Sequence, residues 1–120
     1  MTYLKKRLRA FKFAFSGIYE AFVTEAHIKI HTVITVLVIA AGIYVSITKL
    51  EWILIALAIA LVFMSELFNT AIEKICDFNH PGQHPNIKFI KDISAAAVLF
   101  GAVFALIVGL LIFYPYLKIF

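Results

Sequence analysis

The chain has 120 residues, of which 63% are hydrophobic and only 15% are charged, and its mean hydropathy is +0.98. A soluble domain of this size needs a more polar surface, so the composition excludes a soluble globular protein and predicts one integral membrane domain over 1–120. The formal net charge is +4. We expect this positive charge to attract anionic lipid of the inner leaflet rather than nucleic acid.

The first predicted element is an amphipathic surface helix over about residues 3–26. Apolar side chains recur at intervals of four and three residues, and basic side chains follow the same rhythm one position away. A helix with this pattern lies in the membrane interface, where it serves as an anchor or as a lid over the bundle. Glu25 follows where the chain turns into the membrane. There it either needs a cation, a basic side chain or water, or is simply a solvated carboxylate.

Three apolar stretches predict transmembrane helices over about 29–48, 51–76 and 88–116, with a loop over 78–87. Each is long enough to cross ~30 Å of hydrocarbon. Nine Lys and Arg residues precede the uncharged part of the first span (32–48) or lie between the uncharged parts of the second (52–65) and third (93–117), and only two lie on the other side. The positive-inside rule therefore predicts a multi-pass protein of the cell (inner) membrane, with its amino terminus cytoplasmic and its carboxyl terminus outside.

Small residues in the third span recur at strict four-residue spacing, at Ala97, Gly101, Ala105 and Gly109. Such spacing lets another helix backbone approach closely. Three spans enclose a site poorly on their own. We therefore expect an oligomer with sites shared between protomers.

Polar residues on one face of the second predicted span carry the strongest functional signal: Glu66, Asn69, Glu73 and Asp77. Their spacing of three or four residues places them on the same side of a helix. A carboxylate at Glu66, about one turn inside the hydrocarbon edge, costs about 2 to 3 kcal/mol, and such acids usually mark function. Glu73 and Asp77 repel each other unless positive charge lies between them, which suits a divalent cation.

Two further groups are predicted near this acidic face, Glu25 and Lys91. Together with the acids they could hold a metal-bound phosphate chain, which leaves Glu66 to accept a proton from a hydroxyl arriving through the lipid. The residues alone thus indicate a metal-dependent reaction or an ion site at the inner interface. They do not name ATP.

Several segments spread along the chain recur together in a known family. They are Phe-Lys-Phe-Ala-Phe-Ser-Gly over 11–17, Thr24-Glu25, Lys29-Ile30-His31, Glu66-Leu-Phe-Asn69-Thr-Ala-Ile-Glu73 through Asp77, His84-Pro85 and Lys91-Asp92. These segments resemble the prokaryotic diacylglycerol kinases, small integral membrane lipid kinases. The resemblance implies an all-α homotrimer, each protomer with three transmembrane helices and a surface helix. It also implies transfer of the γ-phosphate of Mg-ATP to a lipid alcohol.

The same resemblance implies roles for individual residues. Glu66 would be the general base and would contact the lipid substrate together with Ala95, while Asn69 would support the catalytic site. Glu25 and Glu73 would bind Mg²⁺. The nucleotide would be contacted by Lys6, Phe13, Glu25, Glu73, Asp77, Gly82, Gln83, His84, Lys91 and Asp92.

Some positions bear on which lipid is the acceptor. His31 stands where the diacylglycerol-specific branch tends to have glutamate, and Ser94-Ala95 replaces a Gly-Ser pair. Both features favour the undecaprenol kinase branch, as do Asn69-Thr70 and His84-Pro85. Undecaprenol is therefore the favoured acceptor, with diacylglycerol close behind. Lys6 and Phe13 stand where the family often has arginine and tyrosine, and lysine lacks the bidentate fork of arginine.

Two other classes of protein share some of these features. A small multidrug or ion transporter has about this length and an intramembrane glutamate, but it needs a fourth span and a carboxylate nearer the membrane midplane. A non-enzymatic membrane subunit explains the small-residue stripe and the basic amino-terminal region. It gives no reason for the acidic residues to align on one helix face.

Overall fold

A computed structural model describes residues 2–118, and within this range the chain forms four helices and no strand. They are α1 (Tyr3–Thr24), α2 (Ala26–Val45), α3 (Lys49–Asn79) and α4 (Pro85–Leu117). The helices α2, α3 and α4 are long and apolar enough to cross a membrane. The prediction of an all-helical membrane protein with three spans and an amino-terminal helix is confirmed.

Local capping explains where the helices begin and end. The helix α1 ends slightly earlier than predicted because Glu25 has an extended backbone, with φ −102° and ψ 117°. The helix α2 ends where Ser46 takes the left-handed conformation, with φ 57° and ψ 57°. At the start of α3, Thr48 and Glu51 form a capping box in which each side chain bonds the backbone of the other. The chain thus reverses direction between α2 and α3.

The connection between α3 and α4 is shorter than the predicted loop over 78–87. The helix α3 continues to Asn79, and Pro85 is already the first residue of α4. His84 caps α4, because its Nδ1 accepts a hydrogen bond of 3.1 Å from the backbone N–H of Asn86. Proline suits the first helical position, since it has no N–H to satisfy there. The pair His84-Pro85 is therefore a helix start within the stretch that was predicted to be a loop.

The helices α3 and α4 pack along most of their length. The buried apolar cluster between them comprises Ile55 and Ala58 of α3, Val108 and Ile112 of α4, and Ile47 of the connection between α2 and α3. It lies towards the end of the bundle that is opposite Glu66, Glu73 and Asp77. At that end the Tyr116 hydroxyl donates a hydrogen bond of 2.7 Å to the Glu51 carboxylate and joins the two helices. The predicted close approach occurs at Gly101, where a Cβ would lie 3.1 Å from Ser65 Oγ, whereas Gly109 faces open space.

The surface helix α1 packs against the start of α2 and has no buried residue. Its apolar side chains are exposed, and so are its basic ones. Both faces are thus available to a membrane surface, as the amphipathic pattern predicted.

Candidate active site

Glu66 lies on α3, is only 4% exposed and faces α2. Its Oε1 lies 2.9 Å from Nε2 of His31, which is itself partly buried. An ionised carboxylate only accepts hydrogen bonds, so Nε2 of His31 carries the hydrogen when Glu66 is charged. Among residues 2–118 no hydrogen bond reaches the second oxygen, Oε2. Glu66 is therefore a buried carboxylate with one oxygen held and the other able to accept a proton.

Asn69 lies one turn further along α3 and connects to Glu73. Its Nδ2 donates a hydrogen bond of 3.2 Å to Glu73 Oε1. Its Oδ1 is buried and has no hydrogen-bond partner within the described part of the chain. A buried acceptor without a donor costs about 1 to 3 kcal/mol, and in native proteins it commonly marks the place of an ion or a ligand. The amide thus holds Glu73 on one side and presents a bare oxygen on the other.

Glu25 occupies the short break between α1 and α2, and its carboxylate is partly buried. Its Oε1 lies 3.9 Å from Nζ of Lys74, which follows Glu73 on α3. The distance is too long for a hydrogen bond, and Lys74 is mostly exposed, so the pair is a weak one. Of the three partners that the sequence left open for Glu25, the structure supplies a basic side chain. The contact brings Glu25 close to the acidic part of α3.

Charged residues at the adjoining ends of α3 and α4 are paired with one another. Lys91 Nζ lies 2.5 Å from Asp77 Oδ1 and joins the two helices. Lys88 Nζ lies 2.5 Å from Asp92 Oδ2 one turn away on α4. All four side chains are at least partly open to solvent. They can therefore exchange these partners for a charged ligand at little cost.

A cleft of about 640 Å³ opens beside these pairs. It is lined by Pro81, Gly82, Gln83, His84, Pro85, Ile87, Lys88, Lys91 and Asp92. Five residues that the resemblance assigns to the nucleotide therefore lie together around one space: Gly82, Gln83, His84, Lys91 and Asp92. The volume is within the usual range of small-molecule sites, about 300 to 1,000 Å³.

Eight predicted site residues are not among those that line this cleft: Lys6, Phe13, Glu25, Glu66, Asn69, Glu73, Asp77 and Ala95. Lys6 and Phe13 are exposed on α1, and Lys6 forms no ion pair within residues 2–118. Ala95 is exposed on α4, whereas its neighbour Ser94 is buried. Ser94 and Asn69 line a separate, mainly apolar groove of about 520 Å³ between α3 and α4. A single chain therefore does not bring Lys6, Phe13 or Ala95 into contact with the cleft.

Two partners of the acidic residues were missed by sequence reasoning. The sequence patterns connect neither His31 nor Lys74 with a particular acidic residue. A usable signal was present, because a buried carboxylate needs a partner and the basic residues of α2 are confined to its first turns. The sequence did not show which residues of α2 lie level with which residues of α3.

Comparisons with known proteins identify the family of this chain. A family model described as prokaryotic diacylglycerol kinase matches residues 12–113. An undecaprenol kinase of Bacillus subtilis is 39% identical over 93% of this chain and 91% of the relative. A diacylglycerol kinase of Synechocystis sp. is 38% identical over 85% of this chain and 59% of the relative. A diacylglycerol kinase of Helicobacter pylori is 32% identical over 95% of this chain and 90% of the relative. The chain therefore belongs to the prokaryotic diacylglycerol kinase family and is a membrane lipid kinase.

Proposed function

We propose that this protein transfers the γ-phosphate of Mg-ATP to the hydroxyl of a lipid alcohol, with undecaprenol as the favoured acceptor and diacylglycerol as the alternative. The observation that carries the proposal is the buried Glu66 carboxylate with one oxygen held by His31 and the other without a partner. Membership of a kinase family favours this reading over a transporter or a non-enzymatic subunit.

The length of α3 supports a site at the boundary between lipid and water. Its 31 residues extend about 46 Å, which exceeds the ~30 Å of a hydrocarbon core. Counted from Trp52 as an interfacial anchor, about 20 residues bring the far boundary to about position 72. Glu66 then lies just inside the hydrocarbon edge, and Asp77 lies in water. A lipid hydroxyl and a soluble nucleotide can meet along such a helix.

In the proposed reaction Glu66 accepts the proton of the lipid hydroxyl. The oxygen of that hydroxyl then forms a bond to the γ-phosphorus, while the bond from this phosphorus to the bridging oxygen of ADP breaks. The products are a lipid monophosphate and ADP. Positioning and charge stabilisation supply most of the rate enhancement in phosphoryl transfer, so Glu66 needs to be held in place as well as to be basic.

The residues present fit a magnesium ion that is shared with the nucleotide. Within residues 2–118 no group of three His, Cys, Asp or Glu side chains could hold a metal alone. Mg²⁺ usually binds one or two carboxylates and takes its other ligands from phosphates and water, so Glu25 and Glu73 are sufficient. The unpartnered Oδ1 of Asn69 adds an oxygen of the right kind beside Glu73. When bound, the ion would neutralise phosphate charge.

For the nucleotide, we propose the cleft beside Lys91 as its site on α4. Lys91 would then exchange Asp77 for a phosphate, and Asp77, Asp92 and residues 82–84 would contact the rest of the nucleotide. Lys6 and Phe13 belong to this site only if α1 of another protomer supplies them. A homotrimer with shared sites accounts for this separation.

The acceptor and the membrane orientation are also part of the proposal. A relative named undecaprenol kinase and the residues His31 and Ser94 support undecaprenol. The excess of basic residues around α1 and the connection between α3 and α4 supports a site on the cytoplasmic side of the cell membrane. Anionic lipid of the inner leaflet would bind the basic face of α1.

Labelled ATP tests the proposal directly. Purified protein in lipid micelles is given [γ-³²P]ATP, Mg²⁺ and either undecaprenol or diacylglycerol, and the label in each lipid is measured. Glu66→Gln should lower transfer by about 100- to 10,000-fold, because it removes a proton acceptor without changing size. Its affinity for Mg-ATP should remain close to that of the wild type.

Glu51→Gln is the matched control, since Glu51 lies on the same helix at the opposite end and bonds Tyr116. It should retain full activity. If no lipid is labelled by the wild-type protein, or if Glu66→Gln transfers phosphate normally, the proposed function is wrong. Substrate-dependent proton flux without labelled lipid would favour the transporter.

A further inference from the structure

His31 and Glu66 are 35 positions apart in the chain, and their hydrogen bond joins α2 to the acidic part of α3. Nε2 lies 2.9 Å from Oε1, and the glutamate side chain is 6% exposed while that of the histidine is 21% exposed. The helix α2 packs against α3, and Ile28, one turn before His31, is buried at 4% exposure. The histidine ring is thus held at the site by the packing of its own helix.

We infer that His31 is a positioning residue for Glu66: its Nε2–H holds Oε1 of the carboxylate so that Oε2 faces the lipid hydroxyl. This inference rests on the proposed function, in which Glu66 is the base. A glutamate side chain has three rotatable bonds, and rotation exchanges its two oxygens. The hydrogen bond to His31 selects one orientation and leaves Oε2 without a partner among residues 2–118.

Loss of the hydrogen bond from His31 to Glu66 should lower kcat and leave KM nearly unchanged. In this arrangement His31 contacts neither the nucleotide nor the lipid, so its removal leaves ground-state binding of both substrates in place. A carboxylate that samples several orientations is rarely aligned with the hydroxyl, and small misplacements of a reacting group are costly. A residue that only stabilised the fold would instead alter the amount of active protein.

Three substitutions at position 31 separate these roles. The amide nitrogen of glutamine reaches about as far as Nε2 of histidine, whereas the amide of asparagine reaches only as far as Nδ1. His31→Gln should therefore retain most of kcat, because it can still donate to Glu66. His31→Asn and His31→Leu should lower kcat by about 10- to 100-fold, the effect of losing one hydrogen bond to a charged group.

The assay measures initial rates of label transfer from [γ-³²P]ATP to undecaprenol and to diacylglycerol, with each substrate varied in turn. The KM values for ATP and lipid should change by less than about threefold in all three variants. His27→Leu is the matched control, because His27 lies one turn earlier on α2 and is exposed. Its kcat and KM should equal those of the wild type. Thermal unfolding in the same micelles reports folding for every variant.

Equal kcat values for His31→Asn and the wild type, or equal losses for His31→Gln and His31→Leu, would overturn the inference. So would a rise in KM without a fall in kcat. If His31→Leu fails to fold, the glutamine and asparagine variants, which are both polar, still decide the question. Failure of the proposed function looks different: the wild type labels no lipid alcohol, or Glu66→Gln remains active.

Discussion

Replacing Asn69 with leucine should remove activity without weakening the fold. Leucine has the same branching and the same number of side-chain heavy atoms as asparagine, and the groove beside Asn69 is lined mainly by apolar side chains of α3 and α4. The substitution therefore removes both polar atoms of the amide and leaves no large cavity. A residue that is retained for chemistry rather than for stability should behave in this way.

The structure allows the expected size of the stability change to be worked out. The hydrogen bond of 3.2 Å from Nδ2 to the half-buried Glu73 contributes about 0.5 to 1.5 kcal/mol, which the substitution loses. The unpartnered Oδ1 costs about 1 to 3 kcal/mol, and the substitution relieves this penalty. The two terms oppose each other. The free energy of unfolding should thus lie between about 0.5 kcal/mol below and about 2.5 kcal/mol above that of the wild type.

Two measurements on the same preparation check this prediction. Unfolding in detergent, followed by circular dichroism, gives the stability, and label transfer to lipid gives the activity, which should fall by about 100-fold or more. Asn79→Leu is the control, because Asn79 also donates to a group four residues away on α3 but is exposed. It should leave both values nearly unchanged. A loss of more than about 3 kcal/mol at position 69, or full activity, would refute the reasoning.

Two further substitutions test the nucleotide site and the helix packing. Lys91→Met should raise the KM for ATP by about tenfold in initial-rate assays, since a charge-assisted contact to phosphate is lost, while the KM for lipid stays constant. Lys118→Met at the opposite end of α4 is the control. An unchanged KM for ATP in Lys91→Met would remove Lys91 from the nucleotide site. Gly101→Leu should lower the thermal unfolding temperature, because the new side chain meets Ser65 on α3 at a cost of about 1 to 3 kcal/mol. Gly109→Leu, which faces open space in one chain, should not lower it, and a loss there would instead locate a contact between protomers.

The parts of this fold that sequence could predict are those that depend on neighbouring residues. Hydropathy identified the three spans, and the alternation of apolar and basic residues identified α1. The spacing of Glu66, Asn69 and Glu73 placed them on one face of α3, and the structure shows the bond from Asn69 to Glu73 that such spacing permits. These features arise from periodicity within one helix.

The parts that sequence did not predict depend on how one helix is placed against another. The bond between His31 and Glu66 requires a particular register of α2 against α3. That register is set at the other end of the hairpin, where Ser46 reverses the chain and Gly42 lies against Trp52. A Cβ on Gly42 would lie 2.7 Å from the Trp52 ring, so any larger residue at position 42 would require the ring to shift. No periodic pattern in the sequence reports such a contact.

Helix α3 connects the two halves of the proposed reaction. Glu66 is bonded to α2 and Asp77 to α4, although both lie on the same helix face and are separated by about 16 Å along its axis. In that reaction a lipid hydroxyl would approach from the membrane and a nucleotide from water. A helix that crosses the boundary without a break can carry both halves of the site, and it leaves no unpaired backbone groups exposed to lipid. The continuous helix from Lys49 to Asn79 meets that requirement.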